Sequence, residues 1–494
     1  MLLWSSGGYK IIRMKESDKK RILLISPCGN IPNYWLPLSL GYIKSNIISD
    51  KYNVKIIDCT FENWWTESPK LRESIINFSP HLVGVTTISP TYPESLKVLD
   101  LCKAINPNII TILGGSHATV CADEVMKNTF IDFVFRGEVE LSFPVFLDEI
   151  EKAEPSLKNV KGLVFRQGGQ IIKNSINIEL NLDKIIRPDY RAVKLNEYLE
   201  RGYRYGGFFG RNAPILLTRG CPYHCAYCLA PILGGNTLRS HSIGYAVNLV
   251  KHLYEDFSIR QFNIIDDNFT FNIDYAKEFC REIIKLNKSS YFSEQIYFST
   301  PNGIRIQKID EELLCLMKSA GWTDITVAPE SGSIKTLEKM KKSINPDKVP
   351  LVIEKIKKAG FPVRGYFIIG YPGETESDLR ATSQLIRKCK FDFFMLNRFF
   401  PIPGTPIFDE MVESGELEKK YIFDYGFSFI ASIRNKQNVY VPSSLATFNF
   451  FLFAIKEYAF LFLRNPSSLF WILKFYGISR IIKILFFVKT RKNK

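Results

Sequence analysis

Three cysteines stand close together in the stretch Cys221-Pro222-Tyr223-His224-Cys225-Ala226-Tyr227-Cys228, which follows the apolar run Ile215-Leu216-Leu217-Thr218 and a turn at Arg219-Gly220. The C-x3-C-x2-C spacing puts three thiolate ligands on one short loop. Thiolates are favoured ligands of iron–sulfur clusters, and three of them leave one iron of a four-iron cluster without a protein ligand. Such an iron can chelate a small molecule and pass it an electron. The stretch therefore predicts a [4Fe-4S] cluster with one open iron.

A zinc site and a disulfide are the alternatives for this loop. Structural zinc takes four ligands, and although His224 could supply one, no second Cys/His pair follows the loop. A disulfide is disfavoured because the chain has no secretory signal and its other seven cysteines are scattered singly. The same two features predict a cytoplasmic protein whose thiols stay reduced.

The composition bounds the class of protein. A chain of 494 residues has room for two or three domains, and its apolar content of 46% is ordinary for a globular protein. Most of the net charge of +15 lies in the tail, since the segment from Ala431 to the end contains eleven Lys or Arg residues and one acid, Glu457. The rest of the chain is close to neutral. Residues 1–20 lack an apolar export segment, and we expect a disordered lead-in there, with Met1 or Met14 as the true start.

Short apolar runs alternate with stretches of helical pattern between Arg21 and about Glu151. This alternation predicts a parallel sheet with helices on both faces, in which ligands bind at the carboxyl ends of the strands. Those ends are rich in Gly and small hydroxyl residues, which suits close approach of a bulky polar ligand. No Rossmann dinucleotide fingerprint follows the first strand, so a nicotinamide cofactor is not expected. The predicted strands are residues 22–25, 54–57, 82–85, 109–113 and 133–135.

Three motifs in this segment carry a resemblance to a known family: Pro37-Leu38-Ser39-Leu40-Gly41, Gly114-Gly115-x-His117-Ala118-Thr119 and Gly137-Glu138-x-Glu140. In this order they resemble the cobalamin-binding domain that precedes the catalytic barrel in one large class of radical S-adenosylmethionine (SAM) enzymes. The cysteine loop, with Tyr227 before its last cysteine, resembles the signature of the same superfamily. The resemblance implies a Rossmann-like, doubly wound cobalamin-binding domain over residues 21–155. It assigns the cobalamin contacts to Ser89, Gly114, Gly115, Ser116, His117, Gly137 and Glu138.

The lower axial ligand of the cobalt stays open. The D-x-H-x-x-G motif that ligates cobalt in other cobalamin proteins is absent after the first strand, and His81-Leu82-Val83-Gly84 copies part of it only at the third. Water, another side chain or no ligand would then lie below the cobalt. We expect His117 to pack against the corrin or its tail rather than to bind the metal.

Strand–helix alternation restarts at Ala213. The repeated units resemble the partial (β/α)6 barrel of the radical SAM fold, which would span residues 213–410 and end at the motif Pro401-x-Pro403-Gly404-Thr405-Pro406. In barrels of this type the chemistry gathers at the carboxyl ends of the strands, and these ends are polar or rich in Gly and Pro. The predicted strands lie near residues 215–218, 262–265, 296–299, 325–328, 363–369 and 393–396.

The resemblance also assigns a SAM site at the mouth of this barrel. Tyr227 would pack near the adenine, Glu330 would reach the ribose hydroxyls, and Arg305 would pair with the carboxylate, which its guanidinium fork suits. Asp266 and Asp267 would line the pocket or supply an acid on the substrate side, and the sequence does not choose between these roles. No side chain beyond the cluster ligands is assigned a catalytic role.

Two further regions complete the chain. Residues 156–212 predict a connector that contains a hairpin around the Gly168-Gly169 turn. Residues 411–494 predict a basic, aromatic-rich helical region, in which charges interrupt every apolar run before it reaches the length of a membrane span. This region either lies on the inner face of a membrane as an interfacial helix or caps the barrel. A nucleic-acid partner is not expected, since the basic residues are embedded in apolar helical patterns.

Together these features resemble a cobalamin-binding radical SAM enzyme, of the methyltransferase-like branch, over about Arg21 to Phe408. In that family the reduced cluster splits SAM to a 5′-deoxyadenosyl radical, which takes hydrogen from an unactivated carbon that then collects a methyl group from methylcobalamin. The resemblance implies a cluster, SAM and cobalamin as cofactors, an external reductant of the flavodoxin or ferredoxin type, and a small-molecule or lipid-like substrate. A non-methylating enzyme that cyclises, rearranges or oxidises its substrate remains an alternative, as does a cobalamin or iron–sulfur sensor without turnover.

Overall fold

The computed structural model of the chain describes residues 2–5, 8–11, 19–29, 36–48, 50–203, 210–418, 440–466 and 468. Three predicted features lie partly or wholly outside these ranges: the lead-in at 12–18, the aromatic part of the connector at 204–209, and the apolar and basic runs of the tail beyond 468. The chain divides into two units. The first contains Met1–Arg201 and a later segment that begins at Ile402, and the second contains most of the residues between them and the described residues from 440 onward.

The strands are numbered here in chain order. They are β1 Leu2–Ser5, β2 Gly8–Ile11, β3 Lys20–Ser26, β4 Tyr52–Asp58, β5 Leu82–Thr86, β6 Ile110–Gly114, β7 Phe133–Phe135, β8 Leu163–Gln167, β9 Gln170–Lys173, β10 Asn212–Ile215, β11 Thr218–Arg219, β12 Arg239–Ser240, β13 Gln261–Ile264, β14 Tyr297–Ser299, β15 Ile325–Glu330, β16 Val363–Ile369 and β17 Phe393–Arg398.

The α-helices of the described residues are numbered in the same way, except that the last is called the tail helix. They are α1 Leu38–Ser45, α2 Cys59–Glu62, α3 Pro69–Phe78, α4 Tyr92–Ile105, α5 Ser116–Val120, α6 Ala122–Val125, α7 Ser142–Glu149, α8 Leu195–Glu200, α9 Ala230–Gly234, α10 Ile243–Phe257, α11 Ile273–Lys288, α12 Glu311–Ala320, α13 Ile334–Lys339, α14 Val349–Lys358, α15 Glu376–Cys389, α16 Pro406–Glu413 and the tail helix Phe450–Arg464.

One large sheet organises the first unit. Within the described residues its strand order is β4-β3-β5-β6-β7-β8-β9, and β3 to β7 are parallel. Leu23, Val83 and Leu113 are fully buried in this sheet, as expected for parallel strands that are covered on both faces. The strand order reverses between β3 and β5, which is the topological switch point of a doubly wound fold. The predicted Rossmann-like α/β architecture is confirmed.

The hairpin β8–β9 belongs to this sheet rather than to a separate connector. Strand β8 pairs antiparallel with β7, from Phe133↔Phe165 to Phe135↔Leu163. The Arg166 side chain strengthens the junction by donating to the carbonyl oxygen of Ile131 at 2.7 Å. The first unit therefore continues to Arg201, whereas the sequence placed its end near residue 155. The local sequence predicts the turn and the two strands, but it does not predict that they pair with β7 of the large sheet.

The second unit contains parallel strands in two groups. Among the described residues, β10, β13 and β14 form one sheet and β15, β16 and β17 form another. Two parallel bridges connect the groups: Phe298 of β14 pairs with Trp322, just before β15, and Ile304, after β14, pairs with Val327 of β15. Helices separate the strands along the chain, as the predicted partial (β/α)6 barrel requires.

The first barrel strand begins and ends three residues earlier than predicted. Strand β10 ends at Ile215, and the Leu217 amide donates to Asp266 Oδ1 at 2.8 Å instead of continuing the ladder. The chain resumes pairing at Thr218–Arg219, where β11 runs antiparallel to β12. The sequence predicts one strand at residues 215–218. In the structure the parallel strand ends at Ile215, and the hydrogen bond from Leu217 to the buried Asp266 carboxylate separates it from β11.

The Pro-Gly motif near residue 404 packs in the first unit. Gly404 adopts φ +83°, and any Cβ at this position would collide with Val120 of α5. Thr405 stabilises the turn by donating to the Ile402 carbonyl oxygen at 2.7 Å. The segment from Ile402 is thus grouped with the first unit, whereas the sequence assigned it to the end of the barrel.

The two ends of the described chain differ from the expectations in different ways. Strands β1 and β2 pair antiparallel, from Leu2↔Ile11 to Ser5↔Gly8, where a disordered lead-in was expected. Both strands are rich in apolar and aromatic side chains, which favour β-structure. The tail helix packs on α15, with Glu457 paired to Arg387 at 2.8 Å. Within the described residues, no helix combines the length and the apolar character that crossing a bilayer demands.

Candidate active site

The three cysteines lie in the second unit, on the loop that follows β11. Backbone hydrogen bonds fix this loop at two points, because the Cys221 amide donates to the Gly235 carbonyl oxygen at 3.1 Å and the Ala226 amide donates to the Met340 carbonyl oxygen at 3.0 Å. All ten cysteines of the chain are free thiols. The loop is therefore shaped by backbone pairing and needs no disulfide.

The chemistry of this donor set fits an iron–sulfur cluster. Burial raises the pKa of the Cys221 thiol, and it raises that of Cys228 to about 12, so a bound metal would have to displace protons from both. The Asn268 side-chain amide approaches Cys221 Sγ at 3.8 Å, as a donor that stabilises a thiolate would. His224, the alternative zinc ligand, is exposed. Within the described residues, no three His, Cys, Asp or Glu side chains form a site for a single metal ion.

Tyr227 and Glu330 are brought together by a third residue, Lys342. The Tyr227 hydroxyl donates to Glu330 Oε1 at 2.8 Å, and Lys342 Nζ lies 2.9 Å from the same oxygen and 3.1 Å from the hydroxyl. The Lys342 and Glu330 side chains are only 10% and 9% exposed. Burial raises the pKa of Tyr227 well above its ordinary value, so the phenol stays neutral and acts as a donor. This buried cluster is called the Tyr–Glu–Lys triad below.

The backbone around this triad is strained. Glu330 has φ +66° at a register shift between β15 and β16, and Lys341 and Ser343 on either side of Lys342 have φ +52° and φ +37°. Left-handed conformations in residues other than glycine cost free energy and tend to cluster at functional sites. The register shift redirects the Glu330 carboxylate toward Tyr227, which a regular strand end would not do.

Arg305 lies against the cysteine loop. Its guanidinium stacks on the Tyr223 ring, with 3.4 Å between the guanidinium carbon and the ring centroid. Its Nε atom is buried and has no hydrogen-bond partner among the described residues. An unsatisfied buried donor is costly, so this atom is suited to receive an anionic group from a ligand. The SAM carboxylate that the sequence assigned to Arg305 would satisfy it.

Asp266 does not line an open pocket. It is 2% exposed, and its carboxylate accepts hydrogen bonds from the Leu217 amide and from Thr218 Oγ1 at 2.7 Å. Burial raises the pKa of Asp266 to about 7. The assignment of Asp266 as a SAM ligand is corrected, because its oxygens hold the strand that leads into the cysteine loop. Its neighbour Asp267 is exposed and lies close enough to raise the pKa of the Cys221 and Cys228 thiols.

The cobalamin residues form a second constellation, in the first unit. Ser89 opens a short 3-10 turn after β5, and its hydroxyl lies 3.0 Å from His117 Nδ1. The His117 ring is buried and packs against the Tyr92 ring with centroids 4.3 Å apart. Burial lowers the pKa of His117 to about 4, so its imidazole is neutral near pH 7. A buried, neutral imidazole held on both sides fits the expected packing role.

The loop after β6 makes a cradle that only glycine permits. Gly115 has φ +99°, and any Cβ there would collide with the backbone of Thr87 at the end of β5. Ser116 begins α5, and Thr119 in that helix accepts a hydrogen bond from the Gly137 amide at 3.0 Å. These contacts bring together the loops that follow β5, β6 and β7, where the sequence placed the cobalamin contacts. Gly114 and Glu138 lie on the same loops, at the end of β6 and after β7, and are partly exposed.

Several residues at the two constellations were not predicted. Lys342 lies in a run of three polar residues, Lys341-Lys342-Ser343, which reads as a solvated surface. Asn268 stands beside the two aspartates and could have been found by asking which polar residue follows the second barrel strand. The hydroxyls of Thr87, Thr91 and Ser95 were missed although they follow β5, and they hydrogen-bond with one another beneath the Ser89 turn.

Two family models match the chain. The model of the Radical SAM superfamily matches residues 215–386, and the model of the B12 binding domain matches residues 27–147. The first range contains the cysteine loop, Arg305 and the Tyr–Glu–Lys triad, and the second contains Ser89, His117 and Gly137. Each constellation therefore lies within the family model that its residues imply.

Several known proteins are similar to this chain over most of its length. An uncharacterized methyltransferase of Pyrococcus horikoshii is 28% identical over 384 residues, which cover 77% of this chain and 79% of that protein. Cytidylyl-2-hydroxyethylphosphonate methyltransferase of Streptomyces wedmorensis is 26% identical over 464 residues, or 83% of this chain and 85% of that protein. The solved structure of the radical S-adenosylmethionine methyltransferase TsrM from Kitasatospora setae has a TM-score of 0.64 at 18% identity and covers 80% of this chain and 76% of TsrM. This structural likeness concerns the fold alone.

Proposed function

Because this chain belongs to the cobalamin-binding radical SAM superfamily, we propose that it methylates a poorly activated carbon of its substrate. It is a radical SAM enzyme, with a [4Fe-4S] cluster, SAM and cobalamin as cofactors. The observation that carries the proposal is the presence, in one chain, of a three-cysteine loop beside the Tyr–Glu–Lys triad and of a glycine-cradled cobalamin constellation. The two relatives reported above, both methyltransferases, support methyl transfer as the outcome.

The residues of this chain would hold the cofactors as follows. Cys221, Cys225 and Cys228 would ligate the cluster, and the loops that carry Ser89 and His117 would hold cobalamin. When bound, these groups supply one-electron cleavage of SAM and a methyl group for transfer. The protein's own work is to bind, orient and exclude water, which limits side reactions of reactive intermediates.

Three side chains of the second unit would orient SAM. Arg305 offers a buried, unsatisfied Nε to the carboxylate, and its stacking on Tyr223 fixes the plane of the guanidinium. Glu330 would accept hydrogen bonds from the ribose hydroxyls, with its position set by Lys342. Tyr227, neutral and bound to Glu330, would present its ring to the adenine. Each of these groups is held in place by protein contacts, so little ordering would be needed on binding.

The substrate and the partners extend the proposal. We infer a cytoplasmic enzyme, since all ten cysteines are free thiols. We also infer an external one-electron donor of the flavodoxin or ferredoxin type, which would reduce the cluster. A lipid-like substrate is favoured over a highly polar one, because the tail of the chain alternates apolar and basic residues.

Anaerobic reconstitution tests the proposal. The protein is loaded with iron, sulfide and hydroxocobalamin, reduced with dithionite, and incubated with methyl-labelled SAM and cell extract fractions. We expect bound cluster and cobalamin, formation of 5′-deoxyadenosine, and a labelled product whose mass rises by one methyl group. Cys225→Ser should abolish 5′-deoxyadenosine, whereas Cys315→Ser, at an exposed cysteine outside the loop, should leave it unchanged.

The other outcomes separate the remaining hypotheses. A product without added methyl mass would indicate a cyclising, rearranging or oxidising enzyme. Failure to form 5′-deoxyadenosine with both cofactors bound would indicate a sensor. A protein that binds the cluster but retains no cobalamin would contradict methyl transfer through cobalt.

A further inference from the structure

The tail helix presents an unusual apolar stripe to solvent. Phe451, Ile455 and Leu463 repeat at helical spacing on one side and are 43%, 45% and 85% exposed, and the adjacent Leu452 is 49% exposed. Isolated exposed apolar residues are normal, but a continuous stripe of large ones on one helix marks an interaction surface. The stripe is flanked by the exposed cations Lys456 and Arg464.

The orientation of this helix is fixed by its buried face. Ala454 and Leu461 are buried against the barrel, and Tyr458 stacks on Phe394 with ring centroids 5.0 Å apart. The Glu457 carboxylate is 2% exposed and is paired with Arg387 at 2.8 Å. If the helix rotated to bury the stripe, the Glu457–Arg387 ion pair would break and the buried side chains Ala454 and Leu461 would become exposed. The stripe is thus a stable feature of the folded unit.

A small cavity with a basic rim lies at the carboxyl end of the same helix. Its volume is about 190 Å³. At its rim Lys357 pairs with Asp392 at 3.1 Å, and Lys390 and Arg464 are the further cations of the lining. Glu354, paired with Lys358 at 2.9 Å, acts electrostatically on Lys390, and Arg464 donates to the Arg387 carbonyl oxygen. The cavity is smaller than the roughly 300–1,000 Å³ that encloses a drug-sized ligand, so it would take only part of a larger molecule.

The part of the chain that follows the tail helix is basic in composition. Residues 469–494 lie outside the described ranges and begin five positions after Arg464, and they contain seven Lys or Arg residues and no acid. A second copy of the chain docked through this stripe would bring the Lys456 and Arg464 side chains of two chains close to one another, which like-charge repulsion disfavours. An anionic partner is favoured by the same charges.

We propose that the apolar stripe and the basic-rimmed cavity form one docking surface for a bilayer that contains anionic phospholipid. The stripe lies at the boundary between head groups and acyl chains, while Lys390 and Arg464 meet lipid phosphates. The surface requires neither bound cofactor nor substrate. Its failure is therefore distinguishable from failure of the proposed methyl transfer.

Vesicle binding by the full-length reconstituted protein tests this surface. The protein is sedimented with vesicles of phosphatidylcholine alone and with vesicles that also contain phosphatidylglycerol. We expect binding to the anionic vesicles that falls with added salt, and little binding to the neutral ones. Removing one rim cation, in Lys390→Ala or Arg464→Ala, should weaken binding roughly fivefold. Placing a charge in the stripe, in Ile455→Asp or Leu463→Asp, should weaken it at least about tenfold.

Matched variants control for general effects. Leu351→Asp changes an exposed apolar residue of α14, and Lys358→Ala removes an exposed cation of the same helix; both should bind as the unchanged protein does. Cluster content and 5′-deoxyadenosine formation should be unchanged in all variants. Equal binding to neutral and anionic vesicles, or full binding by Leu463→Asp, would overturn the proposal. A dimer in solution that Leu463→Asp dissociates, with no vesicle binding, would show that a second copy covers the stripe and would also overturn it.

Discussion

Replacement of Lys342 by methionine isolates the contribution of the Tyr–Glu–Lys triad. Methionine keeps the unbranched side chain and its volume but removes the ammonium group that lies 2.9 Å from Glu330 Oε1 and 3.1 Å from the Tyr227 hydroxyl. The Glu330 carboxylate would then be buried with one neutral donor, Tyr227, where it had a cation and a donor. We expect the carboxylate to shift toward solvent, away from the position at which it would meet the ribose of SAM.

The size of the effect follows from the burial of the pair. Both side chains are at most 10% exposed, so solvent screens their attraction little. Removing one partner of a buried ion pair costs about 3–5 kcal/mol. SAM binding itself loses only the hydrogen bonds between the ribose and the positioned Glu330 carboxylate. Hydrogen bonds to a charged group contribute about 1.5–3 kcal/mol, so we expect the SAM affinity to fall roughly 10- to 150-fold.

Equilibrium dialysis of SAM against the reconstituted protein, paired with calorimetric unfolding, measures both quantities. Lys342→Arg should restore most of the affinity, because the guanidinium keeps the charge, while Lys341→Met, at the exposed neighbour, should change neither quantity. If Lys342→Met lowered the unfolding temperature but left the SAM affinity unchanged, Lys342 would have only a structural role and the reasoning would be refuted.

Three further predictions concern Gly115, Asp266 and His117. Gly115→Ala should lower cobalamin retention at least about tenfold without loss of cluster, because its Cβ would collide with Thr87. Gly168→Ala, which also lies at a positive φ but in open space, should retain cobalamin; equal retention by both would contradict the cradle. The pKa of Asp266 is raised to about 7, so the folded second unit holds a proton that the unfolded chain releases above about pH 4. The free energy of unfolding of the second unit should therefore fall by up to about 4 kcal/mol as pH rises from 4 to 7. Calorimetry of Asp266→Asn should show that this pH dependence is lost. The pKa of His117 is lowered to about 4, so the unfolded chain takes up a proton at a higher pH than the folded chain does. The free energy of unfolding of the first unit should fall by up to about 3 kcal/mol as pH falls from 6.5 to 4. The same pH dependence in His117→Asn would refute this.

The candidate sites were readable where a short stretch carries its own chemistry. The cysteine loop needs only the spacing of three thiols. The Gly114-Gly115 pair was assigned by family resemblance, and the structure shows that Gly115, at φ +99°, is the one that leaves no room for a Cβ. Tyr227 and Glu330 were assigned separately by resemblance, and the structure shows them in contact. Lys342 completes the same triad from twelve residues further along the chain, and nothing in Lys341-Lys342-Ser343 distinguishes the buried lysine from the exposed one.

Asp266 and Asp267 show the limit of this kind of inference. The two side chains are adjacent at the end of β13, and their order along the chain does not tell which one faces the interior. In the structure Asp266 binds the Leu217 amide and Thr218 hydroxyl, while Asp267 is exposed near the cysteine thiols. The choice depends on where β10 leaves the sheet, which is a contact across 49 residues.

The sequence by itself determined the features that local pattern encodes: the alternation of strands and helices, the three-cysteine loop and the basic, apolar composition of the tail. Tertiary structure alone decided that the hairpin β8–β9 extends the first sheet, that the segment from Ile402 packs in the first unit, and that Asp266 is a structural group. The physical reason is that local pattern sets backbone conformation and periodic burial, whereas the partner of a strand edge, a buried carboxylate or a lysine is set by free energies of burial and pairing between residues distant in the chain.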